Sequence, residues 1–322
     1  MAHFNAQTKQ DKMVIGISAR ALFDMTVEHE IYESEGVEAY CSYQIAHEQE
    51  PLKPGPGFGL IRSLLALNHR EGGDLVEVII MSHNSPDTSL RVFNTIRYYH
   101  LPITRAVLVS GASLAPYLEA FHTDLYLSAC EEDVQCAVDS GIAAGIICTE
   151  RGGSFSVEEE GPAQIRIAFD GDAVLFTDES EKIFQAKGLH AFEENEERNA
   201  RNPLAEGPFA KFLKKLSDLQ KRLSQEGDCP IRTALVTSRS APAHERVIRT
   251  LRAWDVRVDE AFFLGGLEKK AVLAAFGAQI FFDDQSVHTI SASQAVPAAR
   301  VPYRKAGRRE CFPNEVSDNR AS

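Results

Sequence analysis

The segment Ile165-Arg-Ile-Ala-Phe-Asp170-Gly-Asp172-Ala-Val-Leu-Phe176 decides how the rest of the chain is interpreted. Its first five residues are mostly apolar, which predicts a short buried strand. Asp170 and Asp172 follow where this strand gives way to a loop, and the glycine between them permits a sharp turn. The segment alone leaves two interpretations open. One is an Asp-Gly turn of a β-hairpin, and the other is an acidic site at the end of a parallel strand.

Polar residues at later positions favour the acidic site. Thr237 and Ser238 follow an apolar run, Lys269 precedes a predicted helix, and Asp283-Asp284 close the apolar run 280–282. Each has a structural explanation on its own: a helix cap for Thr237, a solvated helix for Lys269 and a solvated turn for the two aspartates. In a parallel α/β unit, however, all these positions lie at strand ends or in the loops after them. The pattern therefore predicts that they converge.

The predicted group of side chains suits phosphoryl transfer. Clustered carboxylates repel one another and need a cation, and Mg²⁺ binds a few such oxygens together with a substrate phosphate. One carboxylate can attack phosphorus, while a second acid can protonate the leaving group and then activate water. A lysine and a hydroxyl can stabilise the charge of the transition state.

An internal repeat organises the chain. A shift of 152 positions aligns Ser18 with Asp170, and a shift of 155 aligns later residues. Matched identities include Gly36/Gly188, Gly55-Pro56/Gly207-Pro208, Arg91-Val92/Arg246-Val247, Thr95/Thr250 and Ala120-Phe121/Ala275-Phe276. We therefore expect two copies of one α/β unit, at 13–150 and 163–302, joined by an acidic linker and flanked by tails at 1–12 and 303–322.

Each copy alternates predicted strands and helices, which implies a mainly parallel sheet covered by helices on both faces. Predicted strands lie at 13–17, 76–81, 106–109 and 125–127, and at 165–169, 233–236, 261–264 and 280–282. The fold class is therefore α/β, with the candidate site at the carboxyl ends of the second set of strands.

The first copy lacks the reactive groups and is expected to have no active site. Its residues at the aligned positions are Ser18, Arg20, Ser82, Leu114, Ser128 and Ala129. We expect it to pack against the second copy, to shape the substrate pocket or to hold an effector. The stretch 54–59 is interpreted as a structural turn, with a phosphate-binding loop as the alternative, and Lys53 before it is a candidate substrate contact. His83 is interpreted as a surface residue, with the cleft between the copies as the alternative.

Composition narrows the function classes. The 322 residues carry a net charge of −12, which argues against nucleic acid or an anionic membrane as partner. No apolar run approaches membrane-spanning length, and the first residues lack the apolar region of a secretory signal. Six scattered cysteines without a CxxC pair suggest reduced thiols and a cytoplasmic location.

The ordered motifs resemble the haloacid dehalogenase (HAD) superfamily of phosphatases. Within it, the chain resembles the cytosolic type I 5'-nucleotidases through 168–176 with Asp178-Glu-Ser180, 50–56, 281–285 and 15–23. The resemblance implies a Rossmann-like HAD fold with a helical cap at about 178–230. It also implies Mg²⁺-dependent hydrolysis of nucleoside 5'-monophosphates, with AMP-type substrates favoured, a homo-oligomer and a possible nucleotide effector.

The resemblance also assigns roles to individual residues. Asp170 is the nucleophile and Asp172 the general acid and base, and Thr237 and Lys269 bind the transferring phosphate, with Ser238 as a further candidate substrate contact. The metal ligands are Asp170, Asp172, Asp283 and Asp284, with either or both of the last two completing the site. The register favours Lys269, but Lys270 stays open because it stands where the family has a glycine. Two alternatives to a 5'-nucleotidase remain, a phosphatase for another small ester such as a sugar phosphate and a nucleotide-binding regulator without turnover.

Overall fold

The computed structural model describes residues 12–69, 74–149, 164–224 and 229–303. The linker 151–162 and nearly all of both predicted tails lie outside these residues. No helix in the described part of the chain is long and apolar enough to cross a membrane.

A ten-stranded sheet forms the centre of the molecule, in the order β10-β9-β8-β11-β12-β7-β6-β1-β4-β5. A separate two-stranded ribbon pairs β2 with β3. The strands are β1 (Met13–Ile17), β2 (Phe23–Asp24), β3 (Lys53–Pro54), β4 (Val76–Ser82), β5 (Arg105–Leu108), β6 (Leu125–Ser128), β7 (Ala143–Ile147), β8 (Ile165–Phe169), β9 (Ile231–Thr237), β10 (Glu260–Phe263), β11 (Ile280–Asp283) and β12 (Ala298–Arg300).

Twelve α-helices lie in the described residues, and helices cover both faces of the sheet. They are α1 (Ala19–Leu22), α2 (Thr26–Glu35), α3 (Val37–Ala46), α4 (Phe58–Ala66), α5 (Leu90–Tyr98), α6 (Ala115–Ala120), α7 (Glu131–Asp139), α8 (Glu179–Arg198), α9 (Ala210–Ser224), α10 (His244–Ala253), α11 (Lys270–Phe276) and α12 (Ser286–Ala292). The architecture is the α/β, Rossmann-like arrangement that the sequence predicts.

The two halves of the sheet repeat one another. The first half has the order β5-β4-β1-β6-β7, and the second half has β10-β9-β8-β11-β12. Strand β4 at 76–82 corresponds to β9 at 231–237, which reproduces the sequence shift of 155. All pairs within a half are parallel.

The halves join through an antiparallel pair, β7 with β12. The sequence patterns did not predict these two strands, because their residues are mostly alanine and glycine, which are depleted in strands. The small residues allow the two strands to pack closely, since a Cβ on Gly145 would lie 2.9 Å from the Cβ of Ala299 and 3.2 Å from the Phe282 ring. The strands of one half therefore run opposite to those of the other, and their carboxyl ends lie at opposite edges of the sheet.

One hydrophobic cluster extends under both halves and holds them together. It includes Ile61 and Leu64 of α4 and Phe212 and Leu216 of α9, all at most 2% exposed. Two smaller clusters fill the other face, one in each half. Cross-half contacts add to this, with Gln279 donating to Ser63 at 3.0 Å.

The segment 178–230, where a helical cap is expected, contains two helices with different surroundings. Helix α8 is mostly exposed and bends at Gly188, whose φ is +79°. Its counterpart in the first half is the pair α2 and α3, which meets at Gly36 with φ +87°. Helix α9 instead packs its apolar face into the central core. The cap boundary stays a prediction, and only α8 lies outside the layer that covers the sheet.

The conserved Gly-Pro turns of the two copies have a structural cause. A Cβ on Gly207 would lie 2.3 Å from the Phe176 carbonyl oxygen, and one on Gly55 would lie 2.7 Å from the Phe23 carbonyl carbon. Only glycine allows so close a backbone approach. This supports a structural rather than a phosphate-binding interpretation of both turns.

Candidate active site

The centre of the site lies at the carboxyl end of β8. Asp170 follows this buried strand, and its backbone N–H donates to the Phe282 carbonyl at 2.8 Å, which fixes it beside β11. Lys269 Nζ lies 2.8 Å from Asp170 Oδ1 and 2.7 Å from Asp283 Oδ2. All three side chains are at most 8% exposed. The structure thus brings Asp170, Lys269 and Asp283 together, as the sequence predicts.

Three carboxylates meet at this point. Oxygens of Asp170, Asp283 and Asp284 lie within 4.8 Å of one another, and all three residues are buried. We call these three residues the acidic cluster. An all-oxygen donor set of this kind fits a hard divalent cation such as Mg²⁺ and is poorly suited to a thiolate-preferring metal.

The electrostatics of the acidic cluster reflect burial and mutual repulsion. Burial raises the pKa of Asp170 to about 7, although Lys269 acts in the opposite direction, and Asp283 raises it further. For Asp283, burial is outweighed by hydrogen bonds from His288 and Lys269, so its pKa is lowered. Burial raises the pKa of Asp284 to about 6. A cation among these oxygens would favour their ionised forms.

Lys269 keeps its charge despite its burial. Burial alone would lower the pKa of its ammonium group, but the neighbouring Asp170 and Asp283 carboxylates outweigh that effect and raise it. A permanently charged lysine beside Asp170 can attract and neutralise a substrate phosphate. Lys270, the alternative, points elsewhere, because its Nζ contacts Gln294 at 2.6 Å on the exposed surface.

Asp172 does not join the acidic cluster. Both of its carboxylate oxygens accept hydrogen bonds from Arg239, from Nε at 2.8 Å and from Nη2 at 2.6 Å. The geometry therefore does not support the Asp172 carboxylate as a metal ligand, because Arg239 engages both oxygens. The chain reaches this position through a tight turn, 171–175, in which Ala173 has φ +59°.

That turn holds one residue more than its counterpart in the first half. Phe209 in the second half corresponds to Gly57 in the first half by the shift of 152. The Phe209 backbone N–H donates to the Val174 carbonyl, and the Gly57 N–H donates to the Ala21 carbonyl, so Ala21 corresponds to Val174. The alignment of Ala21 with Ala173 is therefore off by one. The added residue lies between Asp170 and Val174, and Asp172 has no fixed counterpart in the first copy.

Arg239 ties the site to helix α8 and was missed by the sequence interpretation. Its Nη1 lies 2.5 Å from Glu196 Oε2 on that helix, and the guanidinium is only 2% exposed. Glu196 also pairs with Arg246 at 2.9 Å. Burial opposes the charge of Arg239, but Asp172 and Glu196 outweigh it and raise its pKa. The available signal was a charged residue immediately after the Thr-Ser pair at the end of a buried strand.

Thr237 is the last residue of β9, beside the loop after Asp170, and Ser238 follows it. A Cβ on Gly171 would lie 3.3 Å from Thr237 Oγ1, which shows how close this hydroxyl comes to the turn after Asp170. The same oxygen accepts the Arg239 backbone N–H at 3.2 Å. Ser238 is exposed. The two residues therefore border the site, with Thr237 inside it.

Tyr303 is a second residue that the sequence interpretation misplaced. It was assigned to the loose carboxyl-terminal tail, but its hydroxyl donates to Asp284 Oδ2 at 2.5 Å. Its carbonyl accepts a hydrogen bond from Gln135 of α7 at 2.9 Å. Tyr303 thus connects the acidic cluster with a helix of the first half.

Lys53 and His83 lie far from the acidic cluster, at the other edge of the sheet. Lys53 is exposed in the ribbon that follows β1 and α1. His83 follows β4 and contacts both oxygens of Asp133, at 2.7 and 2.8 Å. Because the two halves run in opposite directions, neither residue faces a substrate at Asp170, and the first copy does not shape that pocket with its own strand ends.

Comparison with known proteins identifies the relatives of this arrangement. A 5'-nucleotidase family model matches residues 5–308, which is nearly the whole chain. The human protein "Cytosolic 5'-nucleotidase 1B" is 37% identical over 306 residues, which cover 92% of this chain and 50% of that protein. The chain thus spans about half the length of this curated relative. No solved structure gives a significant match.

Proposed function

The chain belongs to the 5'-nucleotidase family, and from this premise we propose that it hydrolyses nucleoside 5'-monophosphates, AMP-type substrates foremost, to nucleoside and phosphate. The observation that carries the proposal is the contact of Lys269 with Asp170 and Asp283 inside the acidic cluster. This arrangement supports the proposal, because a carboxylate able to attack phosphorus, an ammonium group able to bind phosphate and oxygens able to bind a metal ion lie together in one buried site.

In the proposed reaction, an Asp170 oxygen attacks the phosphorus atom. The bond between phosphorus and the 5' oxygen breaks, and an aspartyl phosphate forms on Asp170. Lys269 and the Thr237 hydroxyl bind the non-bridging oxygens as their charge redistributes. A water molecule then attacks the phosphorus, which releases phosphate and restores the Asp170 carboxylate.

Asp172 supplies and recovers the proton in this scheme. It protonates the leaving 5' oxygen and later accepts a proton from the attacking water. Because Arg239 engages both Asp172 oxygens, we infer that one of these hydrogen bonds opens when a substrate enters. Arg239 acts as a positioning residue, since it fixes Asp172 relative to Glu196 on α8.

We propose Mg²⁺ as the cation, held by Asp170, Asp283 and Asp284. When bound, it would neutralise the clustered carboxylates and polarise the substrate phosphate. Asp284 keeps its orientation through the Tyr303 hydroxyl, and Asp283 through Lys269 and His288, the latter at 3.2 Å.

The test is phosphate release from nucleoside 5'-monophosphates, 3'-monophosphates and sugar phosphates, with Mg²⁺ and with EDTA. We expect Mg²⁺-dependent release from the 5'-monophosphates alone. The Asp170→Asn variant should lose at least about 10³-fold in rate, because it removes the nucleophile. Asp218→Asn, on the exposed surface of α9, is the matched control and should retain full activity.

Other outcomes would redirect the assignment. Release mainly from sugar phosphates would keep the Asp170 chemistry and discard the nucleotide substrate. Nucleotide binding without any phosphate release would favour a regulator. Substantial activity in Asp170→Asn would refute the nucleophile. We also propose a cytoplasmic location and a homo-oligomeric state, which cell fractionation and light scattering test directly.

A further inference from the structure

A cavity of about 490 Å³ opens in the first half, far from the acidic cluster. Its volume lies in the range of roughly 300–1,000 Å³ that is typical of small-molecule sites. Residues at the carboxyl ends of β1, β4 and β6 line it, and helices α2 and α3 contribute its other wall. In the internal repeat this is the place that corresponds to the acidic cluster.

At two positions of the repeat where the acidic cluster has an aspartate, this cavity has a serine. Ser18 corresponds to Asp170, and Ser128 corresponds to Asp283. Ser82 stands for Thr237 and so keeps a hydroxyl. Without the carboxylates, the site has lost its need for a metal ion.

The serine hydroxyls are arranged to donate. Ser18 Oγ accepts the Ala21 N–H at 3.2 Å, and Ser82 Oγ accepts the Asn84 N–H at 3.2 Å. Each hydroxyl therefore satisfies its acceptor side within its own loop and keeps its proton for another partner. A ligand that offers several acceptor oxygens matches this arrangement.

Arg20 brings a positive charge to the same cavity. No carboxylate lies within ion-pair distance of its guanidinium in the described part of the chain, and the negative groups that act on it are farther away, Glu33 among them. Burial lowers the pKa of Arg20, which means that the cation has lost water without gaining a direct partner. Arg20 is partly buried, and a guanidinium that has lost part of its water and has no ion-pair partner among the described residues is stabilised by an anion.

The remaining charges around Arg20 do not neutralise it. Asp133 contacts His83, and the pKa of His83 is raised chiefly by that hydrogen bond. Glu28 pairs with Arg91 at 2.6 Å. His29 also faces Arg20, and its pKa is lowered by burial and by that positive neighbour.

An aromatic wall faces the charged end of the cavity. Tyr32 and Tyr40 meet edge to face with ring centroids 6.0 Å apart, and His29 stacks on Tyr32 at 6.5 Å. The Tyr40 hydroxyl donates to Asn84 at 3.1 Å, which fixes the ring. Such a wall suits a flat aromatic ring, whereas the second half has Phe192 in place of Tyr40.

We propose that this cavity is a second ligand site, which binds a nucleoside phosphate without a metal ion. Arg20 and the hydroxyls of Ser18 and Ser82 bind the phosphate, and the Tyr32–Tyr40 wall packs against the base. The site performs no hydrolysis, because it has neither nucleophile nor acid. It lies at the opposite edge of the sheet from Asp170, so it is separate from the acidic cluster.

The test is equilibrium dialysis of the full-length protein against AMP in EDTA, with adenosine as a second probe. We expect one AMP per chain and weaker binding of adenosine. Arg20→Gln should weaken AMP binding by roughly 10- to 100-fold, the range for charged hydrogen bonds. Arg97→Gln, which removes an exposed arginine of α5, is the matched control and should bind like the wild type.

Several results would overturn the proposal. These are absence of AMP binding in EDTA, equal affinities of Arg20→Gln and Arg97→Gln, or adenosine binding as tightly as AMP. Possible ligand atoms of His83, Cys130 and Asp133 lie within 4.8 Å of one another. If Zn²⁺ binds there and AMP binds only when Zn²⁺ is present, the cavity is a metal site and the proposal is wrong. A failure of the proposed hydrolysis is seen separately, as an absence of phosphate release from the wild-type protein with Mg²⁺.

Discussion

Glu196 offers the most direct test of how helix α8 is held over the site. The side chain is 1% exposed and pairs with two arginines, Arg239 at 2.5 Å and Arg246 at 2.9 Å. Glu196→Gln keeps the shape of the side chain but removes its charge. In this variant Arg239 still pairs with the Asp172 carboxylate, whereas Arg246 loses its carboxylate partner. Because breaking a buried ion pair costs about 3–5 kcal/mol, we expect unfolding free energy to fall by about 3 kcal/mol.

The assay is urea unfolding at pH 7, with Glu197→Gln as the matched control. Glu197 is the exposed neighbour on the same helix, so its substitution should change the unfolding free energy by less than about 0.5 kcal/mol. If Glu196→Gln is as stable as this control, the ion pairs do not stabilise α8 and the reasoning is wrong.

The first half suggests a compensating substitution. There Gln44 occupies the position of Glu196, and the carboxylate comes instead from Glu28, at the position of Ser180. Adding Ser180→Glu to Glu196→Gln should therefore restore a partner to Arg246. A double variant no more stable than the single one would show that the two arrangements are not interchangeable.

Three further substitutions or conditions test the site. Lys269→Met should lower phosphate release by about 10²–10³-fold, whereas Lys270→Met should leave it unchanged; equal losses would contradict the choice between them. Tyr303→Phe removes the donor to Asp284 and should raise the Mg²⁺ concentration for half-maximal activity by about 10-fold, and an unchanged Mg²⁺ titration would refute that support. Burial tends to raise the pKa of Glu196, but Arg239 and its other partners lower it below 4.5. Its stabilising effect is thus complete above that value and is lost as the pH falls through the lowered pKa. The difference in unfolding free energy between wild type and Glu196→Gln should therefore be smaller at pH 3 than at pH 7, and a larger difference would contradict the shift.

The sequence predicts those parts of the fold whose signals are local. Apolar strands that end in polar residues were found because burial and polarity change at one point, as at Phe169 and Asp170. The register of the repeat also holds, since β4 and β9 start and end with the same offset. Strands β7 and β12 were missed because close packing at the joint, rather than β propensity, selects their small residues.

The parts of the site that could not be predicted depend on contacts between distant segments. Arg239 contacts Asp172 and Glu196, from which it is separated by 67 and 43 positions in sequence. No local sequence pattern predicts either contact. Tyr303 lies 19 positions after Asp284, with a helix and a strand between them. The positions of Lys53 and His83 relative to the acidic cluster could not be predicted for a different reason, because the relative direction of the two half-sheets depends on one antiparallel pair of strands.

That antiparallel pair has a consequence for the origin of the chain. Strands β7 and β12 are the same strand of the repeated unit, and they pair antiparallel in one sheet. This is the geometry of an isologous dimer, in which a two-fold axis passes between two identical edges. A single-copy ancestor would have exposed this edge and could have covered it with a second molecule of itself. Covalent fusion of such a dimer would have freed one subunit from carrying out the chemistry, so that its site was free to change while its edge strand was not.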